Sequence, residues 1–400
     1  MLPLVRITKP RVIKYLKLLP FITIYLFVSI SVWLIYYPAN MSPDSMNQYA
    51  QAMSGNYTDW HPPIMAFILK VFMHAGLDIG ELMFLQCILG VFGIRSLSKA
   101  VLKTLFSHKV SDYLTEAFAL LTLLLLISPL TSLLPYLMTF WKDCWLMIII
   151  LWISSIAISS LRINQNPVSV IPKYRLFILI ILTTFAILVR HNSITILPIC
   201  ISIIWLLSRK NYRYPILISF SPIVLYILFT IFQYSYMNVK QTHPVRSVFV
   251  IDLVSLCYEN NDICENLKFI KQKINFNNLN KFRYGDVDNI FHKSNIVHKS
   301  VIWGKNGIDL RNDYLYAVYS YPFSIIKIKI KTFTELIRLK SIHYWFFDLV
   351  MANNFNLKQK DSTRSIRIDI RQKLYRVVNN NYLRFISGYH LIWFVINLGH

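Results

Sequence analysis

The side chains best suited to chemistry in this chain lie in two short polar segments that follow the first long apolar run. Residues 37–45 end with Asp44 and a serine, and residues 59–63 read Asp-Trp-His-Pro-Pro, with a carboxylate close to an imidazole. Carboxylates and histidines are among the side chains that most often transfer protons in catalysis. Packing does not require such a set beside an apolar run, so a functional site is expected here.

Asp44 is the first candidate for a catalytic side chain, and its neighbours allow two interpretations. As a general base, Asp44 would take a proton from a hydroxyl that acts as a nucleophile. Alternatively, Pro43-Asp44-Ser45 before Met46-Asn47-Gln48-Tyr49 has the composition of a helix N-terminus, with Asp44 as the N-cap. Residue type alone favours the cap.

Asp59 and His61 form a second set, beside Trp60 and the stiff pair Pro62-Pro63. His61 could orient a carboxylate or bind a phosphate group. The alternative is an interfacial belt, in which Trp60 lies at headgroup depth and Asp59 caps the helix that follows. Residue types do not choose between these two interpretations.

Two further charged groups lie at the edges of apolar runs. Lys142-Asp143 opens one run, either as an interfacial anchor pair or as a phosphate-binding lysine held by a carboxylate. Arg190-His191-Asn192 lies between two runs without a polar loop, where ionisable side chains are costly and are therefore expected to be functional. Arginine suits a bidentate phosphate contact, and the alternative is that Arg190 extends to the outer headgroups.

Membrane-spanning helices are the elements that must position these side chains. The chain of 400 residues is 55% hydrophobic and 15% charged, with a mean hydropathy of +0.45, which excludes an ordinary soluble enzyme. Crossing a bilayer takes about 20 apolar residues. The apolar runs predict spans at 20–37, 80–98, 114–131, 143–161, 175–190, 191–207 and 214–236.

Basic residues set the predicted orientation. Residues 1–19 form a basic leader without a cleavage site, so the first span is expected to be retained. Lysine and arginine concentrate in alternate loops, which places the N-terminus in the cytoplasm and the loop 38–79 outside. The crossings then place residues 237–385 outside as well.

The chain has a net charge of +23, and the basic excess that does not belong to the N-terminus and the short loops is concentrated after residue 237. It predicts attraction to anionic headgroups or phosphate-bearing lipids, and the alternative is a solvated surface without a partner. No nucleic-acid-binding module is present in the sequence, so nucleic acid is not expected as a partner.

Several segments have patterns that allow more than one structure. Residues 61–75 are too short to span and predict a helix in the membrane interface that ends at Gly76. The spans at 175–190 and 191–207 form either a tight hairpin or one broken helix facing a cavity. Residues 325–331 alternate like a strand, yet an interfacial helix fits them equally. Residues 386–400 are apolar but shorter than a span.

The five cysteines do not have the spacing of a metal site. Cys87, Cys144 and Cys200 lie in apolar runs and are expected to be buried. Cys257 and Cys264 lie together in the polar part, where a disulfide could form if that part is extracytoplasmic.

Together these motifs resemble the GT-C superfamily of integral-membrane glycosyltransferases, which use polyprenyl-phosphate-linked sugars. The pattern is similar to that of bacterial members with Pro-x-x-x-Ser-x-Asp-Ser in the first loop, here residues 38–45 with Gln48-Tyr49, and then Asp-x-His-Pro, here residues 59–62. Lys142-Asp143 matches a Lys-Asp pair that opens a middle span. Arg190-His191-Asn192 matches an Arg-x-Asn element, although the glycine that often follows is Ser193. Residues 251–253 and 309–322 resemble the extracytoplasmic domain.

The resemblance implies a fold class: an all-α polytopic membrane protein, a GT-C-like bundle of about seven or eight spans. It implies interfacial helices in the loop 38–79 and an extracytoplasmic domain, α/β or irregular, over 237–385. It also implies a catalytic aspartate in the first loop, which falls on Asp44, since a cap and a base are not exclusive.

The remaining site residues are assigned by their chemistry. Asp59 and His61 would position the acceptor, and Lys142 and Arg190 would hold the donor phosphate. The other expected substrate-binding residues are Tyr49, Asp143, His191 and Asn192. No cofactor is expected, although some superfamily members use a divalent cation, for which Asp44 and Asp59 could supply carboxylates.

The expected activity is transfer of a sugar from a polyprenyl-phosphate donor to a glycan or lipid acceptor at the outer face of a bacterial inner membrane. One rival is a polysaccharide polymerase, which would usually carry more spans. Another is a transporter of lipid-linked sugars, which would need charges deep in several spans and pseudo-symmetric halves. A third is an inactive scaffold with the same fold.

Overall fold

The computed structural model describes residues 9–106, 110–128, 133–164, 172–209, 212–286, 289–303 and 307–336, together with Asp369 and Lys373. Within these residues the chain divides into two compact units. The first contains residues 9–57 and 62–239, and the second contains residues 58–61 and 240–336. The sequence predicts a boundary close by, after residue 236. The predicted apolar segment 386–400 lies outside the described residues.

The first unit is built from helices. They are α1 Lys9–Tyr36, α2 Pro43–Ser54, α3 Ile64–His74, α4 Ile79–Leu105, α5 Asp112–Ile127, α6 Leu133–Leu137, α7 Lys142–Asn164, α8 Lys173–Val189, a 3-10 helix His191–Ile196, α9 Leu197–Ser208 and α10 Pro215–Ser235. A helix coincides with each of the predicted spans.

Five segments of the described chain are long and apolar enough to cross a membrane: Leu18–Tyr36, Ile79–Leu105, Lys142–Ser160, His191–Ser208 and Pro215–Ser235. Helices α5 and α8 are also apolar but are shorter, at 16 and 17 residues. The described residues are mostly helical and contain no strand. The prediction of an all-α membrane protein is confirmed at this level.

Helix α4 lies at the centre of the first unit and packs against α1, α5 and α7. Gly93 allows the close approach to α7, since a Cβ there would come 3.2 Å from the indole nitrogen of Trp152. The helix begins at the capping box of Asp78 and Glu81, which satisfies the first backbone donors. Small residues at such contacts allow membrane helices to approach closely.

The segment predicted as a short helix over 61–75 forms α3, so a helix is confirmed there. The chain leaves the helix at Gly76, which has a φ of +77°, a conformation that favours glycine. Helices α8 and α9 pack against each other and both pack against α10. This is the hairpin alternative, with the chain turning at Arg190.

The second unit is also helical in its described residues. Its elements are α11 Val245–Glu259, α12 Asn261–Asn266, α13 Lys268–Lys271, α14 Phe276–Leu279, a π-helix Asn289–Lys293, α15 Ser300–Trp303, α16 Gly307–Ser320 and α17 Pro322–Leu336. The strand alternative for residues 325–331 is wrong, because they lie within α17. The residues of this unit that the structure describes contain no strand, whereas most of the predicted domain beyond residue 336 lies outside the described residues.

A compact apolar core holds the second unit together. It is centred on α11, where Leu253 and Val254 are fully buried, and α13, α16 and α17 pack around it. Cys257 and Cys264 form a disulfide that joins α11 to α12. As expected, the other three cysteines are buried.

Candidate functional site

The N-terminus of α2 is capped by serine side chains. The Ser42 hydroxyl accepts a hydrogen bond from the Ser45 backbone N–H at 3.1 Å, and the Ser45 hydroxyl accepts one from the Ser42 N–H at 3.1 Å. The prediction that Asp44 is the N-cap is therefore wrong. Asp44 lies in the first turn of the helix, where the helix dipole favours a carboxylate, and its side chain is 42% exposed.

Backbone contacts fasten this helix start to the residues just before α7. The Asn40 N–H donates to the Met138 carbonyl at 2.8 Å, and the Phe140 N–H donates to the Asn40 carbonyl at 3.2 Å. The Ser45 hydroxyl donates to the Phe140 carbonyl at 2.5 Å. Asp44 is thus held beside the first residues of α7, although about a hundred residues separate the two segments.

Four of the predicted site residues come together here. Lys142 Nζ lies 3.8 Å from Asp44 Oδ2, and Asp143 forms an ion pair with Arg190. Lys142 and Asp143 are the first two residues of α7, and Arg190 has extended backbone between α8 and the 3-10 helix. We call these four side chains the charged cluster.

The charged cluster is partly open to its surroundings. The side chain of Lys142 is 18% exposed, whereas that of Arg190 is 38% exposed. The distance of 3.8 Å between Lys142 Nζ and Asp44 Oδ2 is longer than a direct hydrogen bond. The interaction between these two atoms is therefore an electrostatic attraction. Two carboxylates and two cations balance in charge, and the arrangement offers a proton acceptor beside cationic groups.

Three predicted residues lie next to the charged cluster in sequence but have different surroundings. Tyr49 is buried, and its hydroxyl donates to Asp78, the N-cap of α4, at 3.3 Å. Burial and the Asp78 carboxylate raise the pKa of Tyr49 to about 12. His191 and Asn192 are exposed at the start of the 3-10 helix. The observed contact of Tyr49 fixes α2 against α4.

Asp59 and His61 belong to the second unit. Both are buried, and Asp59 Oδ1 accepts hydrogen bonds from the Thr242 N–H at 2.5 Å and the Thr242 hydroxyl at 2.6 Å. The prediction that Asp59 caps the following helix is wrong, because the N-cap of α3 is Pro63, which makes no side-chain bond. The contacts of Asp59 fasten residues 58–61 to the start of the second unit.

Two buried polar side chains, Gln48 and Trp145, each lie one helical turn after a member of the charged cluster. Within the described part of the chain, neither Oε1 of Gln48 on α2 nor Nε1 of Trp145 on α7 has a hydrogen-bond partner. Gln48 follows Asp44 by one turn, and Trp145 follows Lys142 by one turn, so each pair shares a helix face. Buried polar atoms without a partner are rare in native proteins and can mark a ligand site.

Sequence reasoning missed the serines that hold this site. Ser42 and Ser45 have the spacing of a capping box, which was the available signal. The contact between Asn40 and residues 138–140 had no local signal, since it depends on the packing of α2 against the chain before α7.

The fold and the charged cluster define the class of this protein as an all-α membrane protein with ionisable groups gathered at helix ends. Comparison of the chain with protein-family models, with curated proteins and with solved structures finds no match. Within the described residues, no three His, Cys, Asp or Glu side chains cluster as metal ligands would.

Proposed function

We propose that this chain is a GT-C-type glycosyltransferase of a bacterial inner membrane. It moves a sugar from a polyprenyl-phosphate donor to a cell-surface glycan or a lipid-linked saccharide on the outer face. The charged cluster is the main support for this proposal. It brings together side chains from three of the motifs that resemble the GT-C superfamily: residues 38–45, Lys142-Asp143 and Arg190-His191-Asn192. A carboxylate base beside Lys142, with Arg190 paired to the adjacent Asp143, suits the transfer of a sugar from a phosphate.

In the proposed reaction, Asp44 accepts the proton of the acceptor hydroxyl as its oxygen bonds to the anomeric carbon of the donor. The bond between that carbon and the phosphate oxygen breaks, and polyprenyl phosphate leaves with the electron pair. The anomeric configuration inverts because attack and departure take place on opposite sides. Lys142 and Arg190 stabilise the negative charge that develops on the leaving phosphate.

The spacing of Asp44 and Lys142 is compatible with this chemistry. Lys142 Nζ is 3.8 Å from Asp44 Oδ2. A charge-assisted hydrogen bond adds about 2.8 Å, so a phosphate oxygen beyond Lys142 would lie up to roughly 7 Å from the base. An attacking oxygen and an anomeric carbon fit within that interval. Asp143 would position Arg190 for the same phosphate.

The buried polar atoms of Gln48 and Trp145 support a sugar ligand. The amide oxygen of Gln48 accepts hydrogen bonds and the indole N–H of Trp145 donates one, which suits sugar hydroxyls. A sugar hydroxyl that bonded to either atom would remove the cost of burying that atom without a partner.

The outer location rests on the number of crossings and on the disulfide. If α5 and α8 cross together with the five longer segments, the second unit lies on the side opposite the N-terminus. Helix α8 is about 26 Å long, which a locally thinner bilayer accommodates. Disulfides persist in oxidising compartments, so the Cys257–Cys264 bond supports an outer location. Nucleotide sugars are absent there, which is why the donor must be lipid-linked.

Transfer from radiolabelled polyprenyl-phosphate hexoses tests the proposal. Membranes with the wild-type chain should incorporate label into a glycan or lipid, and Asp44→Asn should lose at least about a hundredfold in rate, the usual contribution of a general base. Asp112→Asn is the matched control, because Asp112 is also a first-turn aspartate paired with a lysine, Lys103, at 2.6 Å. It should keep its activity.

Full activity of a folded Asp44→Asn protein would exclude Asp44 as the base. No transfer from any donor by folded wild-type protein would shift the assignment to the polymerase, the inactive scaffold or the transporter. One observation favours a transporter: Glu116 on α5 is completely buried and pairs with Arg95 and Lys99 on α4. Uptake of a lipid-linked sugar into vesicles without glycosyl transfer would support that alternative.

A further inference from the structure

Helix α17 of the second unit has two apolar faces. Ile325 and Ile328 are 9% and 1% exposed and lie in the core of the unit. Four other large apolar side chains are exposed to solvent by half or more: Phe323 85%, Ile326 54%, Ile330 60% and Phe333 51%. A helix on the surface of a soluble domain normally has polar residues on its outer side.

The four exposed side chains lie on one face. Their spacing of three, four and three residues places them within an arc of about 80° at 100° per residue. Ile325 and Ile328 lie on the opposite side of the same helix. We call the exposed set Phe323, Ile326, Ile330 and Phe333 the outer stripe.

Ion pairs prevent α17 from turning the outer stripe inward. Lys329 pairs with the buried Asp252 at 2.6 Å, Lys327 lies 3.1 Å from Glu259, and Lys331 also pairs with Glu259. Both carboxylates belong to α11, the helix at the centre of the unit. Rotating α17 about its axis to bury the outer stripe would break these ion pairs and expose Ile325 and Ile328. The contacts with α11 therefore stabilise the orientation in which the outer stripe faces outward.

Helix α16, which packs against α17, has a similar exposed face. Ile308, Leu315, Val318 and Tyr319 are 73%, 51%, 38% and 90% exposed, and their spacing places them on one side of the helix, together with the exposed Arg311. Single exposed apolar residues are normal, whereas a concentration on consecutive helices indicates an interaction surface.

We propose that the outer stripe of α17, together with the exposed face of α16, rests on the surface of the bilayer. The chain keeps the second unit close to a membrane, because Ser235 ends a candidate span and Lys240 already belongs to the second unit. Aromatic and aliphatic residues on one face with lysines beside them are the composition of helices that lie in the interface. The three lysines of α17 are balanced by Asp252, Glu259 and Glu335, so the charge that favours anionic headgroups is that of the second unit, where 14 lysines and arginines exceed 9 acidic residues over 240–336.

Fluorescence of a label on α17 tests this proposal in the full-length protein. A single cysteine at Ile330 is labelled with an environment-sensitive dye, and the protein is placed in nanodiscs that contain lipids with quenching groups. Glu335→Cys is the matched control, since Glu335 is an exposed residue of the same helix off the stripe. The dye reaches the introduced cysteine alone, because the native cysteines are buried or disulfide-bonded.

The dye at Ile330 should emit at shorter wavelength than the dye at Glu335, and the lipid quencher should reduce its emission several-fold more. Replacing neutral lipids by a mixture with phosphatidylglycerol should increase the quenching at Ile330. Water-like emission at Ile330 in both lipid mixtures would overturn the proposal. A blue-shifted dye that the lipid quencher does not reach would also overturn it, because protein would then cover the stripe. Neither result depends on glycosyl transfer.

Discussion

Asp44 and Asp59 have the same side chain and follow the same apolar run, yet their surroundings differ. The side chain of Asp44 is partly exposed, and its Oδ2 lies 3.8 Å from the ammonium of Lys142. Asp59 is buried, and one of its oxygens accepts two short hydrogen bonds from Thr242. The contacts of Asp59 hold residues 58–61 to Thr242, whereas Asp44 lies at a partly exposed helix start beside a cation.

Substitutions at Asp59 distinguish a structural role of this side chain from a role in sugar transfer. Asn in place of Asp59 keeps an oxygen for Thr242, so Asp59→Asn should retain most of the transfer activity. Asp59→Ala leaves two donors without an acceptor and should lower the free energy of unfolding by about 1–3 kcal/mol. Thermal unfolding of the purified variants and transfer assays on their membranes measure both effects. An Asp59→Asn protein of wild-type stability without activity would instead assign Asp59 to the chemistry.

At the scale of elements, the position of Asp44 depends on how α2 begins. The capping pair Ser42 and Ser45 satisfies the first N–H groups, which frees Asp44 from that task. The Ser45 hydroxyl also reaches the Phe140 carbonyl, so one side chain both caps α2 and holds it beside α7. The distance between Asp44 and Lys142 follows from that double role.

Ser45→Ala removes both contacts and should destabilise the protein by about 1–2 kcal/mol. Because Asp44 is then less well positioned, kcat should fall while the KM for the donor changes little. Ser54→Ala is the control, since the exposed Ser54 hydroxyl bonds to nearby backbone alone: it donates to the Ala50 carbonyl and accepts from the Asn56 N–H. Thermal unfolding and steady-state kinetics measure the two effects. Equal behaviour of the two variants would show that Ser45 has no positioning role.

Ion pairs between α11 and α17 predict a pH dependence of stability. Burial alone would raise the pKa of Glu259, but hydrogen bonds from Lys331, Tyr284 and Lys327 outweigh it and hold the pKa at about 2. A carboxyl with a lower pKa in the folded state binds fewer protons when folded. Its stabilisation is therefore complete above the unfolded value near 4.5 and is lost as the pH falls toward 2.

Glu259→Gln should lower the free energy of unfolding at neutral pH by at most about 3 kcal/mol, because the lysines are partly screened by water. The difference from wild type should shrink as the pH falls below about 4.5. Denaturant unfolding of the purified protein between neutral and acidic pH measures it. Glu265→Gln, which removes an exposed partner of Lys271, serves as the control. A difference that did not change with pH would mean that the charge of Glu259 contributes nothing.

At the scale of the whole molecule, the described chain forms two compact units of different composition. The first has helices that match the thickness of a bilayer, and the second has its own core and a disulfide. The proposed transfer at the outer face requires the second unit to be outside and the loop between α4 and α5 to be inside.

Labelling with a membrane-impermeant maleimide tests this orientation. Asn280→Cys lies at an exposed position of the second unit and should react in intact cells. Phe106→Cys, at the exposed end of α4, should react only after the membrane is permeabilised. The opposite pattern would place the charged cluster and its chemistry on the cytoplasmic side. The native cysteines should not react in either case, because they are buried or disulfide-bonded.

By itself, the sequence determined the helical class, the positions of the apolar helices and the identity of the charged residues at their ends. These properties are local, since the length and composition of an apolar run decide whether a helix can cross a bilayer. The motifs also singled out Asp44, Lys142, Asp143 and Arg190, although their local patterns did not say which of them would meet.

Only the tertiary structure decided the partners. It brought Lys142 to Asp44 and Arg190 to Asp143, and it bound Asp59 to Thr242 across 183 residues. Tertiary contacts also favour the helix over a strand for residues 325–331. In the helix, Ile325 and Ile328 pack into the core, and lysines of α17 pair with carboxylates of α11. Such contacts depend on how helices pack against one another, and residues far apart in the chain leave no local pattern from which that packing can be predicted.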